Sequence, residues 1–347
     1  MANINTVRLI QSNQNKIMLY SADTKLTVSH IDFWLDTLLN TQQEFSILVR
    51  DEINFQRLVE KYPKLQICYA KNPVDVESVV NAQSNLKVIL YTTNLPKNIH
   101  LIRFNNLKHI FIGTKNSEWL SQFNKSYRAY DEIWCGGEFV INRIKEEVEN
   151  IGHIRFNIVG KPHLKEVLEQ NDLEKISNDL LILIDSKSKD LLEKIYFTYH
   201  VNPNKKRLYL YLTNKNIKED LSNILKQNGL SDKAKIFDSK DLLDDFAVKA
   251  SCIIVDLKNL NPYLLSYNIP IIVYIEKESD KYLIEPRLLQ EVLYCFSNKN
   301  ELLEILKNLD KDNDFLKEIR ENVSNQFFNK KAILEDKFIV SIKKCIN

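Results

Sequence analysis

The chain has 347 residues, 44% of them apolar and 10% aromatic, enough for two hydrophobic cores and hence two domains. Lys and Arg total 48 against 46 Asp and Glu, a formal net charge of +2, so no excess of positive charge marks a nucleic-acid binder. With 6 Gly and 8 Pro, disordered and low-complexity classes are poor fits, and no repeat recurs at a solenoid period. The five cysteines, Cys68, Cys135, Cys252, Cys295 and Cys345, are widely spaced, without a CxxC or a Cys/His cluster, which argues against a disulfide framework and a zinc site. The opening MANINTVRLIQSNQNK lacks the basic start and apolar stretch of a secretory signal, so a cytoplasmic protein is expected. Apolar runs such as Ile269 to Ile275 fall far short of the ~18 residues that a membrane-spanning helix needs.

Short β-branched and apolar runs recur along the first half: Phe45 to Val49, Leu65 to Tyr69, Val88 to Tyr91, His109 to Ile112, Glu132 to Cys135 and Phe156 to Val159. Continuous runs of this kind suit strands buried on both faces of a parallel sheet. Helices fit between them, for example Ser29 to Leu39, and Val74 to Ala82 behind Asn72 and Pro73. The alternation restarts after Asp179 with LLILI, a helix near Leu191 to Tyr196, the run Arg207 to Leu212, a helix from about Asn216 to Gln227, then Ala234 to Phe237, Cys252 to Val255 and Ile271 to Ile275. Leu302, Leu303, Ile305, Leu306 and Leu309 close the pattern at helical spacing.

This order predicts an α/β protein of two doubly wound, Rossmann-like domains. The boundary is expected near residues 162 to 180, with an N-terminal domain over 1–165, a C-terminal domain over 175–315, and helices over 316–347 packing back on the first domain.

Five of the six glycines (Gly113, Gly136, Gly137, Gly152 and Gly160) fall between residues 113 and 160, several directly after a strand. In open α/β sheets the ligand crevice lies beyond the carboxyl ends of the strands, so the clustering points to a cleft mouth, although turns and helix caps account for it equally well. In IWCGGEFVINRIKEEVE a strand and two glycines precede an amphipathic helix with Phe139 or Val140, Ile144, Val148 and Ile151 on one face; its first N–H groups can hold an anion. The stretch is neither GxGxxG nor GxxxxGK[ST], which excludes a conventional phosphate-loop hydrolase.

The stretch from Asn94 to Leu164 resembles the CDP-glycerol glycerophosphotransferase family, GT-B-fold enzymes of teichoic-acid and capsule-type polymer synthesis. The residues that carry the resemblance are Asn98 and His100 in KNIHLIR, the strand HIFIG, the run Tyr130 to Trp134 with Gly137, and Gly160-Lys161-Pro162. More faintly, DLLDDFAVKASCIIVDLKNLNPYLLSYNIPIIVY is similar to the family's donor domain. Four segments depart from the pattern. Thr114 to Glu118 stand where the family carries a catalytic histidine, Asp185 to Lys189 replace a Pro-Thr-Trp-type loop, Leu212 to Asn214 replace a Pro-His-Pro segment, and Asp256-Leu257-Lys258-Asn259 replace an Asp-Tyr-Ser-Ser signature.

The resemblance implies a GT-B-like fold, with the two domains facing a cleft, and transfer of a glycosyl or glycerophosphoryl group from a nucleotide-diphosphate donor in cell-surface polysaccharide synthesis. Such a reaction needs a base at the acceptor hydroxyl and cationic or N–H groups at the leaving phosphate. Candidates for the base are His100, Asp131 and His163, although both histidines also read as structural. Donor contacts are expected from Gly160, Lys161, Ser186, Lys187, Asp256, Lys258 and Asn259, and cleft loops from Gly113, Thr114, Lys115, Asn116, Gly136 and Gly137. The lysine-rich stretches 187–189 and 204–207 read as solvated surface rather than phosphate clamps, and Trp34, Trp119 and Trp134 as core rather than a sugar platform.

The transfer would be inverting and metal-independent, with no cofactor beyond the nucleotide-activated substrate, since no DxD lies between a strand and its loop. Expected partners are a nucleotide-sugar or CDP-glycerol-like donor and a glycan or lipid-linked acceptor, with peripheral membrane contact and no nucleic acid. The altered segments keep a second reading open, a catalytically degenerate homologue that binds a partner glycosyltransferase. A third is divergence toward an acidic sugar nucleotide.

Overall fold

The computed structural model describes residues 15–24, 30–114, 122–171, 179–185, 189–201, 207–213, 215–238, 240–310 and 313–347. The chain divides into two compact units, one formed by Met1–Lys165 with Gln326–Asn347 and the other by Glu166–Asn325.

In the first unit the strands are β1 (Ile17–Ser21), β2 (Phe45–Val49), β3 (Gln66–Tyr69), β4 (Val88–Tyr91), β5 (Lys108–Phe111), β6 (Glu132–Cys135) and β7 (Arg155–Ile158). They form one parallel sheet in the order β3-β2-β1-β4-β5-β6-β7, with Leu19 opposite both Ile47 and Leu90. Successive side chains of a strand point to opposite faces. Ile17 and Leu19 accordingly join one apolar layer with Trp34, Leu38, Phe338 and Ile342, while Met18 and Tyr20 join another with Val76, Val79 and Ile144. Helices cover both faces, and polar side chains on the strands are paired, as Ser46 is with Gln83, His109 with Tyr91, and Glu132 with Lys108.

The last helix, Lys337–Ile346, contributes Phe338, Ile342 and Ile346 at spacings of four, and all three are buried. Burying each such side chain stabilises by about 1.5–3 kcal/mol. Phe338 stacks on Trp34 at 5.0 Å and meets Trp134 edge-on at 5.4 Å, which places both indoles in the core.

The second unit holds β8 (Leu180–Ile184), β9 (Leu208–Leu212), β10 (Ala234–Phe237), β11 (Cys252–Asp256), β12 (Ile271–Tyr274) and β13 (Tyr294–Phe296). They form a second parallel sheet, β10-β9-β8-β11-β12-β13. Leu180, Ile182 and Ile184 alternate into a core shared with Leu191, Ile195, Leu302 and Leu306 from the helices Lys189–Val201 and Lys299–Leu309. Asn298 starts the latter helix by accepting the N–H groups of Asn300 and Glu301 on its Oδ1.

The sequence reading misses two strands, β1 and β13. β1 is IMLY between Lys16 and Ser21, as many apolar residues as VILY of β4, and β13 is three residues long. The helix after Gly137 is also shorter than its apolar spacing suggests. It ends at Glu147, because Val148 is already extended and Asn150 has φ 56°, so Ile151 lies outside it.

Candidate functional site

Both sheets reverse their strand order once, between β1 and β4 in the first unit and between β8 and β11 in the second. Connections leave such a point in opposite directions and open a crevice beyond the carboxyl ends of the strands. In the first unit a pocket of about 310 Å³ lies there, lined by Asp23 and His30 after β1, Thr92 to Leu95 after β4, Phe111 and Thr114 on and after β5, and Gln122, Asn124 and Tyr127 beyond.

The chain leaves β1 at Ser21, whose Oγ donates to Oδ2 of Asp23 at 2.8 Å, and the Asn54 side chain donates to the Asp23 carbonyl at 3.1 Å. This fixes the Asp23 carboxylate 3.7 Å from Nε2 of His30, the first residue of the helix His30–Asn40. Burial pulls the His30 pKa below its ordinary value, and the Asp23 charge opposes that shift.

Across the pocket, hydrogen bonds run from residue to residue. Nδ2 of Asn98 donates to the Tyr130 hydroxyl at 2.8 Å, that hydroxyl donates to Oδ1 of Asn94 at 3.0 Å, and Nδ2 of Asn94 donates to Oγ of Ser126 at 2.6 Å. Ser126 in turn donates its backbone N–H to Oδ1 of Asn124 at 3.0 Å. One hydroxyl of the lining stands apart from this network: Oγ1 of Thr93 is buried and has no hydrogen-bond partner among the described residues.

The residues expected from sequence fall in several places. His100, on the short helix Ile99–Ile102, has Nδ1 3.0 Å from Nη1 of Arg50, a residue buried with its Nε and Nη2 on the carbonyls of Ala70 and Lys71. A guanidinium only donates, so Nδ1 accepts and the His100 proton sits on Nε2. Burial, then the charges of Arg50, Arg103 and Lys97, hold its pKa low. Asp131 lies at the amino edge of the sheet, the opposite edge from the pocket, where Oδ2 accepts the His109 N–H at 2.7 Å.

At the carboxyl end of β7, His163 packs its ring on Phe33 at 4.1 Å. Lys161 is 1% exposed, with Nζ 3.3 Å from the carbonyl of Thr114, and so ties two of the cleft loops together. The Gly113 carbonyl accepts Nε1 of Trp34 at 2.8 Å. The space beside two glycines is filled by the returning end of the chain: a Cβ on Gly160 would stand 2.4 Å from Cγ1 of Ile333, and one on Gly137 would stand 2.1 Å from the carbonyl oxygen of Gln326. Gly136 precedes it in the same turn.

In the second unit, Asp256 ends β11 beside β8. Its Oδ1 accepts both the backbone N–H and Nδ2 of Asn259 at 2.9 Å, closing a tight loop that leaves Lys258 exposed. Next to the carboxyl end of β12 stands a cluster absent from the sequence reading: Nζ of Lys194 lies 2.6 Å from Asp190 and 3.3 Å from the Tyr274 hydroxyl, which also donates to Asp190. Lys194 and then Tyr274 hold the Asp190 carboxyl below the usual range. Lys115, Asn116, Ser186 and Lys187, together with Trp119, lie outside the described residues.

Asp23 and His30 escape the sequence reading because no motif contains them. They become neighbours only through β1, whose central place between β2 and β4 is set by pairings distant in sequence. No group of three or more metal-ligating side chains gathers among the described residues, and no helix among them is long and apolar enough to cross a membrane.

Two parallel Rossmann-like sheets on one chain define an α/β protein of GT-B-like fold. Solved structures agree. The chain is similar to a putative UDP-N-acetylglucosamine 2-epimerase from Listeria monocytogenes, at a TM-score of 0.59 and 13% identity over 95% of this chain and 96% of that one. It is also similar to the wall teichoic acid polymerase TagF, as an H444N form soaked with CDPG, at a TM-score of 0.56 and 13% identity over 98% and 91%. A third likeness is to Anabaena Alr3699/HepE in complex with UDP, at 0.52 and 10% over 94% and 100%. Neither a protein-family model nor the sequence of a curated protein matches the chain.

Proposed function

We propose that the protein is a transferase that takes a glycosyl or glycerophosphoryl group from a nucleotide-diphosphate donor and passes it to a cell-surface glycan precursor. The observation that carries this reading is the polar loop Asp256 to Asn259 at the strand-order reversal of the second sheet, the place where open α/β sheets bind their ligands. Neighbours of the same fold point the same way, one soaked with CDPG and another in complex with UDP. In this reading Lys258, Ser186 and Lys187 bind the donor diphosphate, and Lys258 does so as a point charge.

The altered segments favour a second reading, a catalytically silent homologue that binds a partner transferase: Asp256-Leu257-Lys258-Asn259 keeps the acid of the Asp-Tyr-Ser-Ser signature but neither of its hydroxyl donors. A thermal-shift and calorimetric screen of the full chain against UDP, CDP, CMP and GDP separates the two. Binding of one nucleotide raises the melting temperature by mass action, since the ligand stabilises only the folded state. No binding at millimolar nucleotide removes the transferase reading.

A further inference from the structure

We infer that the amino edge of the first sheet, together with the last turn of the final helix, is a docking surface for an anionic lipid bilayer. Lys16, Lys87, Lys108, Lys343 and Lys344 meet the lipid phosphates, and Leu39 supplies an apolar contact at the headgroup boundary. The inference goes beyond the transferase reading and does not depend on it, since it needs neither donor nor acceptor.

The chain's formal net charge of +2 hides an asymmetry. The unit made of Met1–Lys165 and Gln326–Asn347 holds 25 Lys and Arg against 18 Asp and Glu, a net of +7, whereas Glu166–Asn325 holds 23 against 28, a net of −5. Charge of opposite sign on two units of one chain points to an anionic partner for the basic one. Much of the excess gathers at one edge. Lys16 precedes β1, Lys87 precedes β4 and Lys108 opens β5, three strands that neighbour one another in the sheet. At this level the Lys87 N–H donates to the Lys16 carbonyl at 3.0 Å, and the Lys108 N–H to the Lys87 carbonyl at 2.8 Å. Adjacent strands lie about 4.8 Å apart, so the three lysines leave the sheet as a row.

The final helix, Lys337–Ile346, runs down to the same edge. Nζ of Lys87 lies 2.7 Å from the Ile346 carbonyl, and Nζ of Lys108 lies 3.6 Å from Sγ of Cys345. Because Phe338, Ile342 and Ile346 turn inward, Lys343 and Lys344 are left exposed in the last turn. Leu39, 46% exposed, stands in the last turn of the neighbouring helix His30–Asn40. Lys64, close before β3, and Arg155, at the start of β7, extend the basic edge to either side.

The acids at this edge are fewer. Glu132 has a side chain only 6% exposed and is held by Lys108, Asp131 accepts the His109 N–H, and Glu44 is exposed before β2. Lysine is a point charge without the fixed fork of arginine, which suits the mobile phosphates of a bilayer rather than one oriented ligand. Apolar contact combined with attraction to anionic lipid is the usual basis of interfacial binding. Docked by its amino edge, the sheet turns its carboxyl edge and the pocket there away from the bilayer.

The test is co-sedimentation of the full chain, without nucleotide, with vesicles of phosphatidylglycerol and phosphatidylcholine in equal parts, against vesicles of phosphatidylcholine alone. Binding to the first and not to the second is expected at ~0.1 M salt, with a steep loss as more salt screens the charges. Lys343→Gln combined with Lys344→Gln should weaken binding by ~25-fold and Lys16→Gln by ~5-fold, since each lysine at such a surface contributes about 1 kcal/mol. Leu39→Ser should weaken it too. Lys71→Gln with Lys97→Gln, at the carboxyl edge, should leave it unchanged. These side chains reach solvent, and an unchanged melting temperature verifies that each variant is folded.

Orientation has its own readout. Cys345 is half-buried beside Lys108, and bound vesicles should slow its labelling by a maleimide while Cys295, in the second unit, labels at its free rate. No sedimentation with the anionic vesicles overturns the proposal. So does binding that follows Lys71 and Lys97, or that leaves the labelling of Cys345 unchanged. Retention on duplex DNA without vesicle binding would make the partner a nucleic acid and overturn it as well.

Discussion

Gly137 and Gln326 occupy touching space: a Cβ on Gly137 would stand 2.1 Å from the Gln326 carbonyl oxygen and 2.7 Å from its carbon. The turn from β6 into the helix Glu138–Glu147 is thus a seat for the returning chain, and Phe139 meets Phe327 at 4.3 Å beside it. Backbone cannot rotate away as a side chain does. Gly137→Ala is therefore expected to cost about 1–3 kcal/mol, the usual range for overpacking, whereas Gly152→Ala, which meets nothing within 4 Å, should leave the urea midpoint unchanged. Equal midpoints for the two variants would show that the seat yields.

A second prediction concerns the amino edge of the same sheet. Glu132 has a side chain only 6% exposed, and it accepts from Lys108 at 2.6 Å, Arg155 at 3.3 Å and Nε1 of Trp134 at 2.7 Å. Arg155 is 76% exposed, so Lys108 is the partner that compensates the buried charge. Lys108→Met should then destabilise by about 3 kcal/mol, since it strands a carboxylate in the interior. Glu132→Gln keeps an acceptor for Trp134 and leaves two cations that reach water, so about 1 kcal/mol is expected. The reverse order in chemical denaturation would refute this account of the network.

The parallel sheets are legible in the sequence because strands buried on both faces are predominantly apolar. Phe45 to Val49, Val88 to Tyr91, Glu132 to Cys135 and Leu180 to Ile184 coincide with β2, β4, β6 and β8. β1 carries as many apolar residues as β4; what the sequence does not show is its central place in the sheet, set by pairing with β2 and β4, contacts distant in sequence. The cost of missing it falls on the site, since Asp23 and His30 follow that strand in the chain. Asp131 precedes β6 in the chain and so stands at the amino edge of the sheet, where its carboxylate accepts the His109 N–H.

Lys258 separates binding from stability. It is exposed, on a loop whose shape is set by Asp256 and Asn259, so its ammonium makes no demand on the fold. Lys258→Ala is expected to leave the melting temperature of the free protein unchanged and to weaken nucleoside diphosphate binding by ~10–10²-fold, since a single charge-assisted contact is worth about 1.5–3 kcal/mol. Asn259→Ala removes an anchor of the loop and should lower both. Calorimetry with CDP and UDP checks the pair, and an unchanged affinity in Lys258→Ala would move the phosphate contact elsewhere.

The stability of the first unit should depend on pH through His109. The ring is buried, with Nδ1 2.8 Å from the Tyr91 hydroxyl and Nε2 3.1 Å from the Phe104 carbonyl. Burial lowers its pKa, outweighing the Phe104 carbonyl and the Asp131 charge, which act in the other direction. In the unfolded chain the imidazole titrates near its ordinary value of about 6.5. Between that value and the lower native one, the unfolded state binds more protons, so stability rises with pH there. The contribution is complete above about pH 6.5 and is lost as the pH falls through the native value. His100, held low by burial and Arg50, adds a term of the same sign. Urea midpoints should consequently fall from pH 7.5 to pH 5, and His109→Gln, although less stable at pH 7.5, should show a shallower fall. An equal slope in the variant would mean that other groups carry the acid sensitivity.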